Sequence, residues 1–420
     1  MKNRKLTRII ALVLALGAIA VFAMTGRSSA SAESSAPDGV SSATKGSGSV
    51  SQELPADSGS PILNGDELFS SRDQEQTPDL SGAEYLTLSD GEELTISEEG
   101  VYVLQGSAKD ATVIVEADDP AKVQLVLDGV SIVNADFPCI YVKSADKVFI
   151  TTVSDSSLSV TGSFRADGDT NTDAVIFSRD DLVLNGCGTL SISSSDNGVS
   201  CKDDLKLTGG SYRITAAAKC LEAKDSIRIA GGSYSLTAGT DALHAENQED
   251  DSLGYIYIGG GSFSIDAGDD GIHARAFVQI DGGSFVISAA EGIEATAVQL
   301  NGGSISIQSW DDGINAARKS ASYAVYVEVN GGDIDISMSA GDTDGIDSNG
   351  SLAVNGGSIS ITGPSSFDYD GSAVYNGGSI MVNGQSLDSI PNQMMGGPGG
   401  QMGGFGGGQP GGMGGRGRRG

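Results

Sequence analysis

Residues 255–316 read YIYIGGGSFSIDAGDDGIHARAFVQIDGGSFVISAAEGIEATAVQLNGGSISIQSWDDGINA, successive passes through one pattern. In each pass a pair of alternating apolar residues (Ile256/Ile258, Val278/Ile280, Val298/Leu300) precedes Gly-Gly-Ser, and a second pair (Phe263/Ile265, Phe285/Ile287, Ile305/Ile307) follows it. Period two is the signature of a strand, so two strands meet at a glycine corner. A short third segment closes each pass: Asp270-Gly271-Ile272, Glu291-Gly292-Ile293 and Asp312-Gly313-Ile314. Three strands and three corners describe one coil of a parallel β-helix, in which each strand pairs with its equivalent one coil along at about 4.8 Å.

The pattern runs well beyond this stretch. Gly-Gly followed by Ser or Asp recurs at Gly209, Gly231, Gly260, Gly282, Gly302, Gly331, Gly356 and Gly377, at spacings of 20–29 residues that signal a solenoid. Upstream, Asp173-Ala174-Val175 and Leu182/Leu184 continue it, and Val123–Ile132, Ile140–Val142 and Val148–Ile150 carry it more loosely. The expectation is an all-β chain, a right-handed parallel β-helix of about 11–13 coils over 82–391, with the handedness taken from the general preference of parallel crossovers. The aromatic series Tyr212, Tyr234, Phe263 and Phe285 continues in phase as Ile305, Ile334, Ile359 and Ile380, which places it inside rather than on a sugar-stacking surface. Asn301, Asn330, Asn355 and Asn376, each before Gly-Gly, are expected to form an amide ladder.

Outside the repeat the chain changes character. Lys2, Arg4, Lys5 and Arg8 precede an apolar run from Ile9 to Met24 and a small-residue site at Ala30-Ser31-Ala32, the pattern of a secretory signal over 1–32. The expected location is therefore extracellular or at the cell surface, with no membrane association once the leader is removed. Residues 33–81 are rich in Ser, Pro, Gly and acids and read as a linker, and 392–420, with 15 glycines in 29 positions, reads as a disordered Gly/Met-rich tail. The net charge of −30 becomes 20 − 55 = −35 once Lys2, Arg4, Lys5, Arg8 and Arg27 are gone. Such a surface repels nucleic-acid phosphates and attracts divalent cations. Cys139, Cys187, Cys201 and Cys220 are too few and too irregular for a disulfide framework and read as small buried residues with one optional disulfide.

The third strand repeats an acid or amide at one point of successive coils: Asp173, Asn197, Asp241, Asp270, Glu291, Asp312, Asp344 and Asp370. Like charges stacked at that spacing repel by about 1 kcal/mol per pair even when solvated. A cation would relieve them, and oxygen clusters on rigid corners suit calcium. Asp269, Asp270, Glu291, Glu294, Asp311, Asp312, Asp342 and Asp344 are the candidate ligands, against the alternative that the acids cap turns through bonds to the backbone. His244 and His273 fall three residues after the acid of their coils, a sparse zinc motif without cysteine partners. Insertions at Glu246–Asp251 and Arg318–Ser322 mark one corner as a binding face, and Tyr257, Trp310, Tyr323, Arg275 and Arg318 near them are the candidate glycan contacts. No nucleophile elbow or phosphate loop is present in the sequence, and since every coil carries acids, no catalytic pair stands out.

The runs IYVKSADKVFI, DAVIFSRDDLVLNGCGTLSI, YIYIGGGSFSIDAGDDGIHA and VQLNGGSISIQSWDDGINA resemble a family of secreted bacterial carbohydrate-binding proteins best known from cellulose-degrading clostridia. The resemblance covers roughly residues 85 to 390 and extends to the Gly/Met-rich tail. It implies a calcium-containing β-helix shaped like the pectate lyases that binds cellulose or acidic, pectin-type polysaccharide without established catalysis, its calcium falling best on Asp269, Asp270, Asp311 and Asp312. Lys219-Cys220-Leu221 departs from the acidic motif and breaks the run there. The expected protein is a monomeric, non-enzymatic polysaccharide binder. A calcium-dependent lyase or hydrolase, with Arg275 or Arg318 as base, and a structural surface adhesin stand as alternatives.

Overall fold

The computed structural model describes residues 59–339 and 343–393, together with the backbone of a short strand at Leu6–Ile10. Most of the leader, the first half of the linker, the tail from 394 onward and Asp342 lie outside the described residues.

The chain is all-β: a three-residue turn of 3-10 helix at Gly65–Glu67 is the one helical element among the described residues. One coil consists of Phe277–Ile280, Ser284–Ala289 and Glu291–Ala295. Each strand pairs in parallel, in register, with its counterpart in the next coil, Ala297–Leu300, Ser304–Ser309 and Ile314–Ala316. The third strands build a 13-stranded sheet and the first and second strands a 24-stranded one. Twelve of those 13 strands come from residues 92–369, since one is Leu6–Ile10, so the number of coils matches the repeat count read from the sequence. An antiparallel hairpin, Ser379–Val382 with Gln385–Leu387, ends the stack.

The alternating apolar pairs fill the interior: Val278, Ile280, Phe285, Ile287 and Ile293 are buried in one coil alone. Tyr212, Tyr234, Phe263 and Phe285 stack face to face inside, with ring centroids 5.3, 4.6 and 4.5 Å apart. They are core, as their phase requires. The second glycine of each Gly-Gly turns the chain with positive φ, +95° at Gly303, where a Cβ would stand 3.0 Å from the Gly283 carbonyl oxygen. Beside that corner Asn330 donates to Asn301, Asn355 to Asn330 and Asn376 to Asn355, each at 2.8 Å. All four cysteines are free. Cys139, Cys201 and Cys220 are buried, but Cys187 is exposed.

Residues 59–76 depart from the linker reading. They lie along the rod against the outward ladder of the first strands, which runs Lys206, Arg228, Tyr257, Gln279, Gln299 and Glu328 in register. Glu328 accepts from the Gly59 amide (2.7 Å), Gln299 from Ile62 (3.0 Å) and Gln279 from Leu63 (2.7 Å), while the two glutamine amides donate back to Ser60 and Leu63 carbonyls. Further along, Asp73 meets Lys206 at 3.4 Å and Gln76 bonds the Thr208 carbonyl. The strap thus spans many coils without any apolar period, because side-chain amides of the rod satisfy its backbone as a neighbouring strand would.

Candidate functional site

The third-strand sheet carries two polar rows on its outer face. The first is the acid of each D-G-I corner. The second lies three residues later and is continuous in register: Glu222, His244, His273, Glu294, Asn315, Asp347 and Asp368. The glycine between them is demanded by space, since a Cβ at Gly292 would lie 2.5 Å from the Gly313 carbonyl oxygen and 2.6 Å from Ile307 Cγ2. With glycine there, the corner lets the two rows meet: His244 Nδ1 lies 2.7 Å from Asp241 Oδ2, His273 Nδ1 2.6 Å from Asp270 Oδ2, and Asn315 Nδ2 donates to Glu291 Oε2 at 3.1 Å.

Part of the first row is structural. Asp241 Oδ1 accepts from the Asp270 amide (3.2 Å) and Asp312 Oδ1 from the Asp344 amide (2.8 Å), each acid bonding the backbone of the coil that follows it, and Asp344 is bonded by the Ser365 hydroxyl. The turn-capping and cation readings therefore share the same residues.

The rows divide into chemically distinct stretches. At one end Glu222 is gripped by Lys202 (3.2 Å) and Lys219 (2.7 Å); burial raises its carboxyl, but the two ammonium groups outweigh burial and hold it at about 2. In the middle, His273 also lies 3.0 Å from Glu294, whose other oxygen takes Lys319 at 2.7 Å. Burial lowers the His273 imidazole, yet Asp270 and Glu294 push it up to about 9. The far stretch, Glu291, Asp312, Asn315, Asp344 and Asp347, contains oxygen donors and no imidazole. Burial and the charges of Glu294 and Asp270 push Glu291 up to about 8, and burial with Asp312 and Asp368 pushes Asp347 up to about 7. Asn315 Oδ1 is buried without a hydrogen-bond partner. This stretch thus offers an orphaned carbonyl oxygen among carboxylates, donors of the type a hard divalent cation takes.

The structure gathers Asp270, Glu291, Glu294, Asp312 and Asp344 into this ladder and separates Asp269 and Asp311 from it. Those two are exposed, one residue before the corner acid, where the alternation of side chains turns them away. Asn315 and Glu222 are the additions, and Asp347 joins the row beside Asp344. Their signal was the polar residue three positions after the corner in successive coils from Lys219 to Asp344.

The candidate glycan contacts fare unevenly. Tyr257 points out of the coil, but the strap covers it to 4% exposure, with its hydroxyl on Asp281 at 2.9 Å and Phe69 packed nearby. Tyr323 closes an outer apolar cluster over Phe277, its ring 5.1 Å away. Arg275 bonds Asp251 at 2.8 Å, and Ser320 bonds the Asp251 carbonyl, so the two insertions fold onto each other. Trp310, 47% exposed, and Arg318 remain on the surface, two residues before Asp312 and six after it.

A stack of parallel strands with a charged ladder along one face defines the class to which this chain belongs, that of the β-solenoids. The family model of the carbohydrate-binding domain-containing protein matches residues 90–362 and 291–388, and the chain belongs to that family. A carbohydrate-binding domain-containing protein of Acetivibrio thermocellus is 34% identical over 129 residues, 30% of this chain and 45% of that one, so the chain spans under half the length of the curated relative it matches. Among solved structures, a polysaccharide lyase-like protein from C. thermocellum, a gadolinium derivative, aligns with TM-score 0.32 and 22% identity over 72% of this chain and 94% of its own.

Proposed function

We propose that this chain is a secreted, non-catalytic polysaccharide-binding protein whose third-strand face holds calcium and, through it, an acidic or neutral wall glycan of the pectin or cellulose type. Family membership supports the glycan. The observation that carries the calcium is the oxygen-only stretch of the ladder, where Glu291 and Asp347 are too crowded to ionise freely and Asn315 Oδ1 lacks a partner. Neighbouring members of the row Glu291, Asp312, Asn315, Asp344 and Asp347 would hold calcium, which supplies the positive charge that so acidic a protein needs to accept a uronate carboxylate. The protein's own part is rigid spacing: carboxylates fixed about 4.8 Å apart along a rod present a repeating surface to a repeating polymer. Trp310, exposed beside Asp312, offers a face for a sugar ring. We read the winding as right-handed, from the general preference of parallel crossovers, and the rod as pectate-lyase-like in shape.

The test is retention on immobilised polygalacturonate and on cellulose, for the wild type and for Glu291→Gln with Asp347→Asn, in calcium and in chelator, with new unsaturated or reducing ends assayed in the same tubes. Calcium-dependent retention that the double variant loses, without new ends, is the expected result. New ends in wild-type tubes would instead make the chain a lyase or hydrolase.

A further inference from the structure

The chain has two histidines, and the fold brings them together on successive coils. His244 and His273 are register partners, and their rings stack with centroids 4.7 Å apart at 18°. Each is oriented by the carboxylate three residues before it, at 2.7 Å for Asp241 and 2.6 Å for Asp270, both on Nδ1. A carboxylate on Nδ1 fixes the orientation of each ring, as the carboxylate behind a metal-binding histidine does.

Carboxylates complete the set. Glu246 Oε2 lies 3.4 Å from His244 Nε2, and Glu294 Oε2 lies 3.0 Å from His273 Nδ1, the nitrogen that also faces Asp270, while Lys319 occupies the other Glu294 oxygen. Donor atoms of Asp241, His244 and His273 all fall within 4.8 Å of one another, as do those of Asp270, His273 and Glu294. A cavity of about 290 Å³, lined in part by His244, Glu246 and Glu222, opens the place to solvent and gives an ion a way in. Calcium prefers oxygen alone, whereas mixed imidazole and carboxylate sets suit zinc and its first-row neighbours.

We propose that His244 and His273, with Asp241, Asp270, Glu246 and Glu294 around them, form a site for a divalent transition ion of the zinc class, distinct from the oxygen-only stretch assigned to calcium. The site stands whether or not the chain binds glycan.

The experiment titrates Co2+ and Zn2+ into chelator-stripped, full-length protein held in excess calcium, following cobalt d–d absorption and the imidazole NMR signals, which two histidines keep simple. The expected result is a single Co2+ per chain, displaced by Zn2+ and not by calcium, with both imidazoles shifted. His244→Gln and His273→Gln should each weaken it by about tenfold or more. Cys187→Ser, which removes the exposed thiol, should leave it unchanged. The proposal is overturned if the wild-type imidazole signals do not move, if calcium displaces the cobalt, or if the double histidine variant, its fold checked by circular dichroism, binds as the wild type does.

Discussion

Glu291 makes the ladder's electrostatics measurable. Burial and the charges of Glu294 and Asp270 push its carboxyl from 4.5 to about 8. Between those pH values the folded chain keeps a proton that the unfolded chain has lost, so stability falls as pH rises, by about 1.4 kcal/mol per unit for one proton. From pH 5.5 to 7.5 that is about 2–3 kcal/mol from this residue. Asp347, raised from 3.8 to about 7, adds loss of the same sign up to about 7, and His273, raised from 6.5 to about 9, adds more above 6.5. Glu222, held at about 2, contributes a constant amount across this window and loses it only in acid. The metal-free protein should therefore be less stable at pH 7.5 than at 5.5, and Glu291→Gln should flatten the slope by about one proton. Millimolar calcium, binding the ionised form, should reverse it. Urea and thermal unfolding in chelator at both pH values provide the assay. A wild type whose stability is flat or rises over that interval, or a Glu291→Gln variant with the wild-type slope, would refute the reasoning.

Gly292→Ala places a methyl 2.5 Å from the Gly313 carbonyl and should cost about 1–3 kcal/mol in urea unfolding, whereas Gly231→Ala, with nothing within 4 Å of its new carbon, should be nearly neutral. Phe263→Ala removes the middle of the interior aromatic stack and should cost about 3–5 kcal/mol in the same assay. Gln299→Ala unpairs the Ile62 amide and the Ser60 carbonyl, so limited proteolysis should cut within 59–80 faster while the coils stay protected from hydrogen exchange. Trp310→Ala should lower glycan retention without changing the unfolding midpoint, since the side chain is exposed.

The coils were legible because their signal is local and repeated. Val278/Ile280 before Gly-Gly and Phe285/Ile287 after it give the strand, the corner and the interior face together, and the parallel register follows from the repeat. The ladder was legible by position and less so by membership. The Asp269-Asp270 doublet looks like two ligands, yet neighbouring residues face opposite ways and one of them is exposed. Asn315 carries no charge and escaped notice, though it stands three residues after Asp312 as His273 does after Asp270. The strap was hidden for a different reason. Residues 59–76 dock through backbone hydrogen bonds and scattered side chains such as Ile62, Phe69 and Asp73, which leaves no apolar period, and the complementary signal, Gln279, Gln299 and Glu328 in one outward row, looks in sequence like an ordinary solvated face. Tyr257 was misplaced with it, since only the strap turns an outward tyrosine into a buried one.

The central claim is that calcium on the ladder carries polysaccharide. Co-sedimentation of the full chain with polygalacturonate across a calcium titration tests it most directly, with bound calcium counted in the same pellets. The account predicts that bound protein rises with bound calcium and falls to background in chelator. Binding that is indifferent to chelator, or calcium that binds fully while the polymer stays free, would contradict it.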